Sequence, residues 1–330
     1  MGVIARFGER LPVTAATPDV TLGEGSTPLI RSRRIGERLG VELHFKFEGM
    51  NPTGSFKDRG MTVAVSKAVE AGAEAVVCAS TGNTASSAAA YAARAGLTAV
   101  ILCPAGAVAA AKLAQSRAVG AKVLEVQGSF DEALQSCLEL AERVGAALVN
   151  SLNPHRIEGQ KTAAFEIDEA LDRGPDVLAL PYGGGGNTVA YAKGFAEDNV
   201  KVRMISAHAV DRSTTLASAI RIAEPAHLAE VDALVADGTV EPVAVTDEDI
   251  TRMWLELAHE EGIFCEPSSA AGVAAVEKLP LERGSTVVCV LTGHGLKDAA
   301  RVAEQTADAV LVEPSGDSIL EALEPGLVLV

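Results

Sequence analysis

The chain has 330 residues, of which 48% are hydrophobic, 22% charged and 4% aromatic. This length is enough for about two domains of ordinary size with a developed core. The formal net charge of −16 predicts no nucleic-acid partner, because a phosphate backbone requires a basic face, although a local cluster of donors can still bind a small anion.

The cysteines and the lengths of the apolar runs indicate the cellular compartment of the protein. The five cysteines have no C-x-x-C spacing and lie mostly in apolar runs, so we expect buried thiols in a reducing environment, with no disulfide and no metal site. The N-terminal segment has no apolar signal core, and no apolar run is long enough to span a bilayer without interruption. We therefore expect a cytoplasmic protein with no membrane partner.

Short apolar, β-branched runs that indicate buried strands alternate with longer segments of helical spacing. The predicted strands are AEAVVCAS, LTAVILCP, AKVLEVQ, AALVNS, DVLALPY, VRMISA and STVVCVLTG. The predicted helices are MTVAVSKAVEAG, TASSAAAYAARAG, AVAAAKLAQSRAVG, FDEALQSCLELAERVG, TVAYAKGFAED and DEDITRMWLELAHEEG. Several should end at a glycine, namely Gly72, Gly96, Gly120, Gly145 and Gly262. This alternation predicts an α/β protein with two parallel-rich sheets covered by helices.

The segment NPTGSFKDRG, residues 51 to 60, is a polar turn that leads into a helix. Ser55 is a candidate helix cap, and Lys57 would lie in the first helical turn. The helix dipole there would lower the pKa of Lys57 and prepare its amine to form an imine with an aldehyde. The alternative is a solvated surface lysine.

Two further segments collect hydrogen-bonding groups where a strand meets a helix. In ASTGNTASS, residues 79 to 87, the hydroxyl, amide and backbone N–H groups predict a carboxylate or phosphate site, and the alternative is an over-provided helix cap. In NSLNPHRIEGQKT, residues 150 to 162, Pro154 should open a helix whose first turn carries Arg156. Arginine is the usual bidentate partner of phosphate.

The segment PYGGGGNT, residues 181 to 188, is the strongest local pattern. Its consecutive glycines contribute no side chain to packing, but they let several backbone N–H groups approach one point beside a helix N-terminus. This predicts a cradle for a single phosphate, and a tight turn is the alternative.

In the segment VLTGHG, Thr292 ends a buried strand. Its hydroxyl could form a hydrogen bond with a neutral ring nitrogen, or only with the backbone.

Seven segments in this order, from about residue 22 to 300, closely resemble the threonine synthase family: GSTPLI, NPTGSFKDRG, STGNTA, NSLNPHRIEGQKT, the glycine loop, EEGIFCEPSSAAG and LTGHGLKD. That family belongs to the pyridoxal 5′-phosphate (PLP) enzymes of the tryptophan synthase β-subunit type. The resemblance implies a large cofactor-phosphate-binding domain of residues 1–48 and 148–330, an inserted small domain of residues 49–147, and PLP in the cleft between them.

The resemblance also implies a role for each site residue. Lys57 would be catalytic, holding PLP as a Schiff base and transferring protons. Cofactor contacts would also come from Asn83 at the 3′-oxygen and Thr292 at the ring nitrogen, and from a phosphate loop of Gly183, Gly184, Gly185, Gly186 and Asn187. Substrate contacts would come from Ser80, Thr81, Thr84, Asn150, Ser151 and Arg156. A neutral hydroxyl at Thr292 implies a weakly electron-withdrawing ring.

The implied reaction converts O-phospho-L-homoserine and water to L-threonine and orthophosphate, in a homodimer. Two departures from the family bear on the substrate: Gly184 and Gly185 replace an asparagine and an alanine, and the segment 206–226 is shorter. A threonine or serine dehydratase, or another β- or γ-replacement enzyme, is the main alternative. A non-catalytic relative and a nicotinamide dehydrogenase are others, the latter disfavoured because Thr188 replaces the third glycine of the dinucleotide fingerprint.

Overall fold

The computed structural model describes residues 1–106, 110–306 and 309–323 of the chain. Within these ranges the strands are β1 (Leu29–Arg31), β2 (Glu42–Phe47), β3 (Ala75–Ala79), β4 (Thr98–Pro104), β5 (Lys122–Val126), β6 (Ala147–Leu148), β7 (Val177–Pro181), β8 (Arg203–Ala209), β9 (Val240–Val245) and β10 (Thr286–Leu291).

Helices alternate with these strands along most of the chain. They are α1 (Val3–Phe7), α2 (Ile35–Leu39), α3 (Lys57–Glu70), α4 (Asn83–Ala95), α5 (Ala110–Ala118), α6 (Phe130–Val144), α7 (Pro154–Leu171), α8 (Gly186–Glu197), α9 (Leu228–Ala236), α10 (Asp247–Glu261), α11 (Pro267–Glu277), α12 (Ala299–Gln305) and α13 (Gly316–Ala322).

The strands form two parallel-rich sheets. The larger has the order β1-β2-β10-β7-β8-β9, and only the pairing of β1 with β2 is antiparallel. The smaller has the order β5-β4-β3-β6 and is parallel throughout. Central strand β10 pairs in register with both neighbours, so that Val287 lies opposite Leu43 on one side and Val177 on the other. The α/β class with parallel sheets is therefore confirmed.

The local signals in the sequence correspond to the observed elements. Each of the seven predicted strands overlaps an observed one, from β3 to β8 and β10. The five glycines expected to end helices all adopt left-handed backbone, with φ between 67° and 88°, a conformation that disfavours residues with a Cβ atom. The first three residues of the predicted helix 107–120 lie outside the described residues, and the rest contains α5.

Strand β2, ELHFKF, was not predicted because charged side chains interrupt its apolar pattern. The structure accounts for them with a buried ionic cluster, defined here as Lys46, Glu48, Arg59 and Glu166. Arg59 donates to both glutamates at 2.7 to 2.9 Å, and the Lys46 ammonium donates to Glu166 at 2.7 Å. Two positive and two negative charges thus balance in the interior, which buried ions require.

Each sheet has an apolar core of small aliphatic residues. Against the smaller sheet, helix α4 packs a face of fully buried alanines that includes Ala85, Ala88 and Ala92, together with Val76 and Ile101. Burying a valine or isoleucine side chain contributes about 1.5–3 kcal/mol. The alanine face allows the helix to approach the sheet closely, and it thereby places the start of α4 at the carboxyl end of β3.

The chain divides into two compact units, residues 1–297 and 298–330. Both sheets lie in the first unit, and helices α12 and α13 lie in the second. In the described part of the chain, no helix is both long enough and apolar enough to cross a membrane. The strands of the smaller sheet are consecutive along the chain, between β2 and β7 of the larger sheet, whereas the domain boundaries 48/49 and 147/148 stay a prediction.

Candidate active site

The turn that carries Lys57 is hydrogen-bonded to the end of strand β10. The N–H of Phe56 donates to the carbonyl oxygen of Thr292 at 3.0 Å, and the N–H of His294 donates to the carbonyl oxygen of Gly54 at 2.9 Å. Helix α3 begins immediately afterwards, at Lys57. Lys57 and Thr292, which lie far apart in the sequence, therefore belong to one local structure.

The amine of Lys57 has a strongly lowered pKa. Burial, and after it the positive charge of Arg156, lower the pKa of Lys57 to about 7, against an opposing effect of Glu266. The ammonium group lies 4.4 Å from the centroid of the Phe56 ring. The predicted lowering is confirmed, but burial is its first cause. A lysine with such a pKa is available as a neutral amine near neutral pH.

The predicted cap at Ser55 is wrong. Helix α3 has Phe56 at its N-cap position and no side-chain cap, and the buried Ser55 hydroxyl has no hydrogen-bond partner in the described chain. Asp58 ties the turn together instead, because its carboxylate accepts from the N–H and hydroxyl of Thr53 and from the hydroxyl of Ser87, at 2.6 to 2.7 Å. The helix starts one residue too late for Ser55 to cap it.

Helices α3 and α7 touch through their backbones at two glycines. A Cβ atom on Gly159 would lie 1.9 Å from the carbonyl oxygen of Arg59, and one on Gly60 would lie 2.6 Å from the carbonyl oxygen of Arg156. Neither position can hold a larger residue unless a helix moves. This crossing places the first turn of α7, with Arg156, beside the first turn of α3, with Lys57.

Arg156 is a buried cation that forms no ion pair with a carboxylate in the described chain. Its side chain donates to the carbonyl oxygen of Val149 and to Oε1 of Gln160, both at 3.2 Å, while its Nε has no partner there. Burial lowers the pKa of Arg156 to about 10. Because an isolated buried charge is costly, this arrangement favours an anionic ligand next to Lys57.

The glycine loop ends at the N-terminus of helix α8. Gly185 has a left-handed φ of 85°, and helix α8 starts at Gly186. Across the described residues, the N–H groups from Gly183 to Asn187 donate to no carbonyl or side chain. Free N–H groups at a helix N-terminus form a binding site for an anion.

The two glycines that depart from the family pattern differ in what they tolerate. A Cβ atom on Gly184 would meet only Cδ1 of Ile222, at 3.8 Å, so a side chain fits there. Gly185 has a positive φ and would hold its Cβ 3.1 Å from both His227 and Val231. Alanine at position 185 would be strained in this conformation.

Hydrogen bonds join the glycine loop to the segment around Arg156. Gln160, which accepts from Arg156, donates to Oδ1 of Asn187 at 3.3 Å, and the buried Nδ2 of Asn187 has no partner in the described chain. His227 N–H donates to the carbonyl oxygen of Gly184 at 3.0 Å, and its ring Nε2 lies 2.9 Å from the carbonyl oxygen of Ser151. The loop and the start of α7 are therefore held as one structure.

Two of the predicted substrate residues are engaged in local structure. The Ser80 hydroxyl accepts from the N–H groups of Gly82 and Ala85, at 3.2 and 3.1 Å. The side-chain amide of Asn150 exchanges two hydrogen bonds with the backbone of Ala79, at 2.9 and 3.0 Å. Ser80 therefore caps the start of helix α4, as in the alternative interpretation of this segment, and Asn150 holds the end of β3 in place.

Three other predicted substrate residues have hydroxyls without a hydrogen-bond partner in the described chain. Thr81 and Thr84 are half-buried, and their hydroxyls form no hydrogen bond with the described chain. Ser151 is also half-buried, and it uses its carbonyl oxygen rather than its hydroxyl in the contact with His227. These three hydroxyls remain candidates for ligand contacts.

One carboxylate joins the two residues expected to bind the 3′-oxygen and the ring nitrogen of the cofactor. Glu266 is buried, and its oxygens accept from Nδ2 of Asn83 at 3.0 and 3.3 Å and from the hydroxyl of Thr292 at 3.1 Å. The hydroxyl of Ser269 lies 3.0 Å from that of Thr292. The geometry thus brings together Lys57, Asn83 and Thr292, with an acid between the last two.

Comparison with known proteins agrees with this geometry. A family model described as pyridoxal-phosphate dependent enzyme matches residues 20–293. A threonine synthase of Halalkalibacterium halodurans is 46% identical over 90% of either chain, and one of Mycobacterium leprae is 47% identical over 90% of this chain and 89% of its own. The chain belongs to the pyridoxal-phosphate dependent enzymes, in the threonine synthase family.

Solved structures of other proteins show the same fold. Maize serine racemase has a TM-score of 0.75 with 22% identity, covering 92% of this chain and 94% of its own. An O-ureido-L-serine synthase has a TM-score of 0.77 with 21% identity, covering 94% of this chain and all of its own. At such identities only the fold is shared. PLP is the cofactor of this family, and the chain is a PLP-dependent lyase.

The site residues fit PLP. The free N–H groups of the glycine loop and the unpaired Nδ2 of Asn187 suit its phosphate, and the amine of Lys57 suits its aldehyde. Asn83 and Thr292 provide an amide and a hydroxyl near that amine. These are the donors that the sequence predicted for the phosphate, the 3′-oxygen and the ring nitrogen.

Sequence reasoning missed four residues that organise the site: Gln160, His227, Glu266 and Ser269. Gln160 lies in the segment NSLNPHRIEGQKT, and Glu266 and Ser269 lie in EEGIFCEPSSAAG, so the family motifs already pointed to these three residues. None was assigned a role in the site, because each has at least one partner that is distant in the sequence. His227 is structural here, through its contacts with Gly184 and Ser151.

Proposed function

We propose that this chain converts O-phospho-L-homoserine and water to L-threonine and orthophosphate. The observation that carries the proposal is Arg156, a buried guanidinium beside Lys57 that forms no ion pair with a carboxylate of the described chain. Threonine and serine carry no second anionic group for it to bind, whereas a phosphorylated substrate does. The threonine synthase name of relatives up to 47% identical supports the same reaction.

Lys57 is the proposed catalytic residue. When bound, PLP withdraws electrons from the substrate carbons and allows protons to leave them. Lys57 would remove protons from Cα and Cβ as phosphate leaves Cγ, and protons would then return to Cγ and Cα while water adds at Cβ. The pKa of about 7 suits this role, because a group that both accepts and gives up protons works best near the operating pH.

The other site residues hold and orient the reactants. The loop from Gly183 to Asn187 binds the cofactor phosphate, Asn83 the 3′-oxygen and Thr292 the ring nitrogen. Toward the substrate, the proposed contacts are Ser80, Thr81, Thr84, Asn150, Ser151 and Arg156. Ser80 and Asn150 would contribute less than the rest, since their side chains already bond backbone groups.

The test measures phosphate released from O-phospho-L-homoserine by the holoenzyme and by Lys57→Ala. We expect the variant to lose about 1000-fold or more in kcat, since positioned proton transfer alone contributes up to about 10⁴-fold. The exposed lysine in Lys201→Ala is the control and should leave the rate unchanged. Full activity of Lys57→Ala, or 2-oxobutanoate formed from L-threonine as the main product, would contradict the proposal.

A second variant tests the substrate. Arg156→Gln should lower kcat/KM for O-phospho-L-homoserine by about 10- to 100-fold, which corresponds to the loss of one charge-assisted hydrogen bond. Its circular dichroism and bound PLP should match the wild type. An unchanged kcat/KM would remove Arg156 from the substrate site.

We also propose a cytoplasmic homodimer, with a small domain of residues 49–147 inserted in a large one. The family resemblance supports the dimer, and five buried free thiols are consistent with a reducing compartment. Light scattering of the purified chain should give twice the chain mass of 33.9 kDa. A single-chain mass would contradict the dimer.

A further inference from the structure

Lys297 is a half-buried lysine that has no part in the proposed reaction. It follows strand β10 in the segment LTGHGLKD. Its ammonium donates to the carbonyl oxygen of Thr53 at 2.9 Å, to the hydroxyl of Ser86 at 2.7 Å and to Oε1 of Gln115 at 2.8 Å. These acceptors lie in the turn before α3, in α4 and in α5. One side chain thus joins the end of the larger sheet to two helices that follow strands of the smaller sheet.

The contact with Ser86 leads to the start of helix α4. An ammonium group has three protons and accepts nothing, so the Ser86 hydroxyl accepts from Lys297 and keeps its own proton for another group. That proton goes to the carbonyl oxygen of Asn83 at 3.2 Å, or to that of its neighbour Gly82 at 3.5 Å. Asn83 is the first residue of α4. Lys297 therefore restrains the helical turn that presents Asn83.

The contact with Thr53 leads to the turn that presents Lys57. The N–H and hydroxyl of Thr53 donate to the carboxylate of Asp58, the neighbour of Lys57, at 2.7 and 2.6 Å. Asp58 also accepts from the hydroxyl of Ser87 on α4, so the same turn and the same helix are joined a second time. Loss of the Lys297 ammonium should therefore loosen this arrangement without unfolding it.

We infer that Lys297 is a positioning residue that holds Lys57 and Asn83 at the separation that PLP requires. The aldehyde and the 3′-oxygen of PLP lie on adjacent carbons of a rigid ring, so their two protein partners must keep a fixed distance. Lys57 begins α3, which follows β2 of the larger sheet, and Asn83 begins α4, which follows β3 of the smaller sheet, so no single element fixes that distance. The inference rests on the proposed contacts of both residues with PLP, and it does not depend on which substrate the enzyme uses.

The test measures the PLP affinity and the visible absorption band of the holoenzyme, both without substrate. Lys297→Met keeps an unbranched side chain but removes the ammonium. PLP affinity should fall by about 10- to 100-fold, as for the loss of one charge-assisted hydrogen bond. The band should shift, because hydrogen bonds to the cofactor tune its electronic state. The control is Lys161→Met, a buried lysine that pairs with Glu158 and Glu197 instead, and it should keep the wild-type affinity and band.

A second variant cuts only the connection to Asn83. Ser86→Ala removes the hydroxyl between Lys297 and the start of α4, and it should lower PLP affinity and shift the band in the same direction. The matched control is Ser66→Ala, a buried serine of α3 whose hydroxyl accepts from the N–H of Val20, and it should change neither. The double variant of Lys297 and Ser86 should lose no more affinity than Lys297→Met alone, because changes along one link are not additive.

Two outcomes would overturn the inference. One is wild-type PLP affinity and an unshifted band in Lys297→Met, or in Ser86→Ala, which decides alone if Lys297→Met fails to fold. The other is a double variant whose loss of affinity equals the product of the two single losses. Because no substrate is present, a failure here is distinct from a failure of the proposed reaction, which would be seen only as missing phosphate release.

Discussion

Replacing Gly159 by alanine should damage both stability and activity, because two helix backbones meet at this residue. The added Cβ would lie 1.9 Å from the carbonyl oxygen of Arg59 and 2.8 Å from Cα of Gly60. Carbon and oxygen atoms approach to about 3.3 Å, so the helices must separate by about 1.4 Å. An overlap this severe belongs at the upper end of overpacking costs, about 3 kcal/mol, and alanine in a helix regains about 1 kcal/mol, which leaves a loss of about 2 kcal/mol.

We therefore expect Gly159→Ala to lose about 2 kcal/mol of unfolding free energy, seen as a melting temperature about 3 °C lower for a chain of this length. The shift would also move Arg156 away from Lys57. A displacement of about 1 Å in a catalytic arrangement lowers the rate about 100-fold, so kcat/KM for phosphate release should fall by that order.

The same glycine-to-alanine change at a position without a backbone contact is the control. Gly8 has helical φ and ψ of −53° and −37°, and its added Cβ would meet only a methyl group of Val13 at 3.8 Å. Gly8→Ala should melt at the wild-type temperature or slightly above it. If Gly159→Ala also kept the wild-type melting temperature and kcat/KM, the backbone contact would not set the geometry of the site.

Three further predictions concern charge. Arg59→Met leaves two buried glutamates with one lysine and should lower the unfolding free energy in urea by about 3–5 kcal/mol. Burial raises the pKa of Asp58 to about 6, so the native state binds a proton at this carboxylate more tightly than the unfolded state does. The unfolding free energy should therefore fall as pH rises from about 4 to about 6. Asp58→Asn should lack that decrease. The rate at which the PLP-free protein takes up PLP should increase as pH rises through about 7, and Arg156→Gln should move this midpoint upward because it removes a charge that lowers the pKa of Lys57.

Each of these has its own control. Arg203→Met breaks an exposed ion pair and should cost at most about 1 kcal/mol, so an equal loss in Arg59→Met would contradict the buried cluster. Parallel stability profiles of the wild type and Asp58→Asn would contradict the raised pKa of Asp58. An unchanged pH midpoint of PLP uptake in Arg156→Gln would show that the charge of Arg156 does not lower the pKa of Lys57.

Local patterns in the sequence were sufficient for most of the fold. The buried strands follow from short apolar β-branched runs, and the helix ends follow from glycines that adopt positive φ. Strand β2 was missed because its Lys46 looks like a surface residue until its partner Glu166 is known. That partner comes from a helix elsewhere in the chain.

The sequence by itself determined the class of the site and its chemistry. The order of the motifs around Lys57, Asn83, the glycine loop and Thr292 was enough to indicate PLP through the resemblance to the threonine synthase family, because each motif is a contiguous segment. Only the tertiary structure decided how those segments act on each other. It shows that burial is the first cause of the lowered pKa of Lys57, and that Arg156 forms no ion pair with a carboxylate of the described chain. It also places Glu266 between Asn83 and Thr292, since hydrogen bonds and charge act through space between residues that the sequence keeps apart.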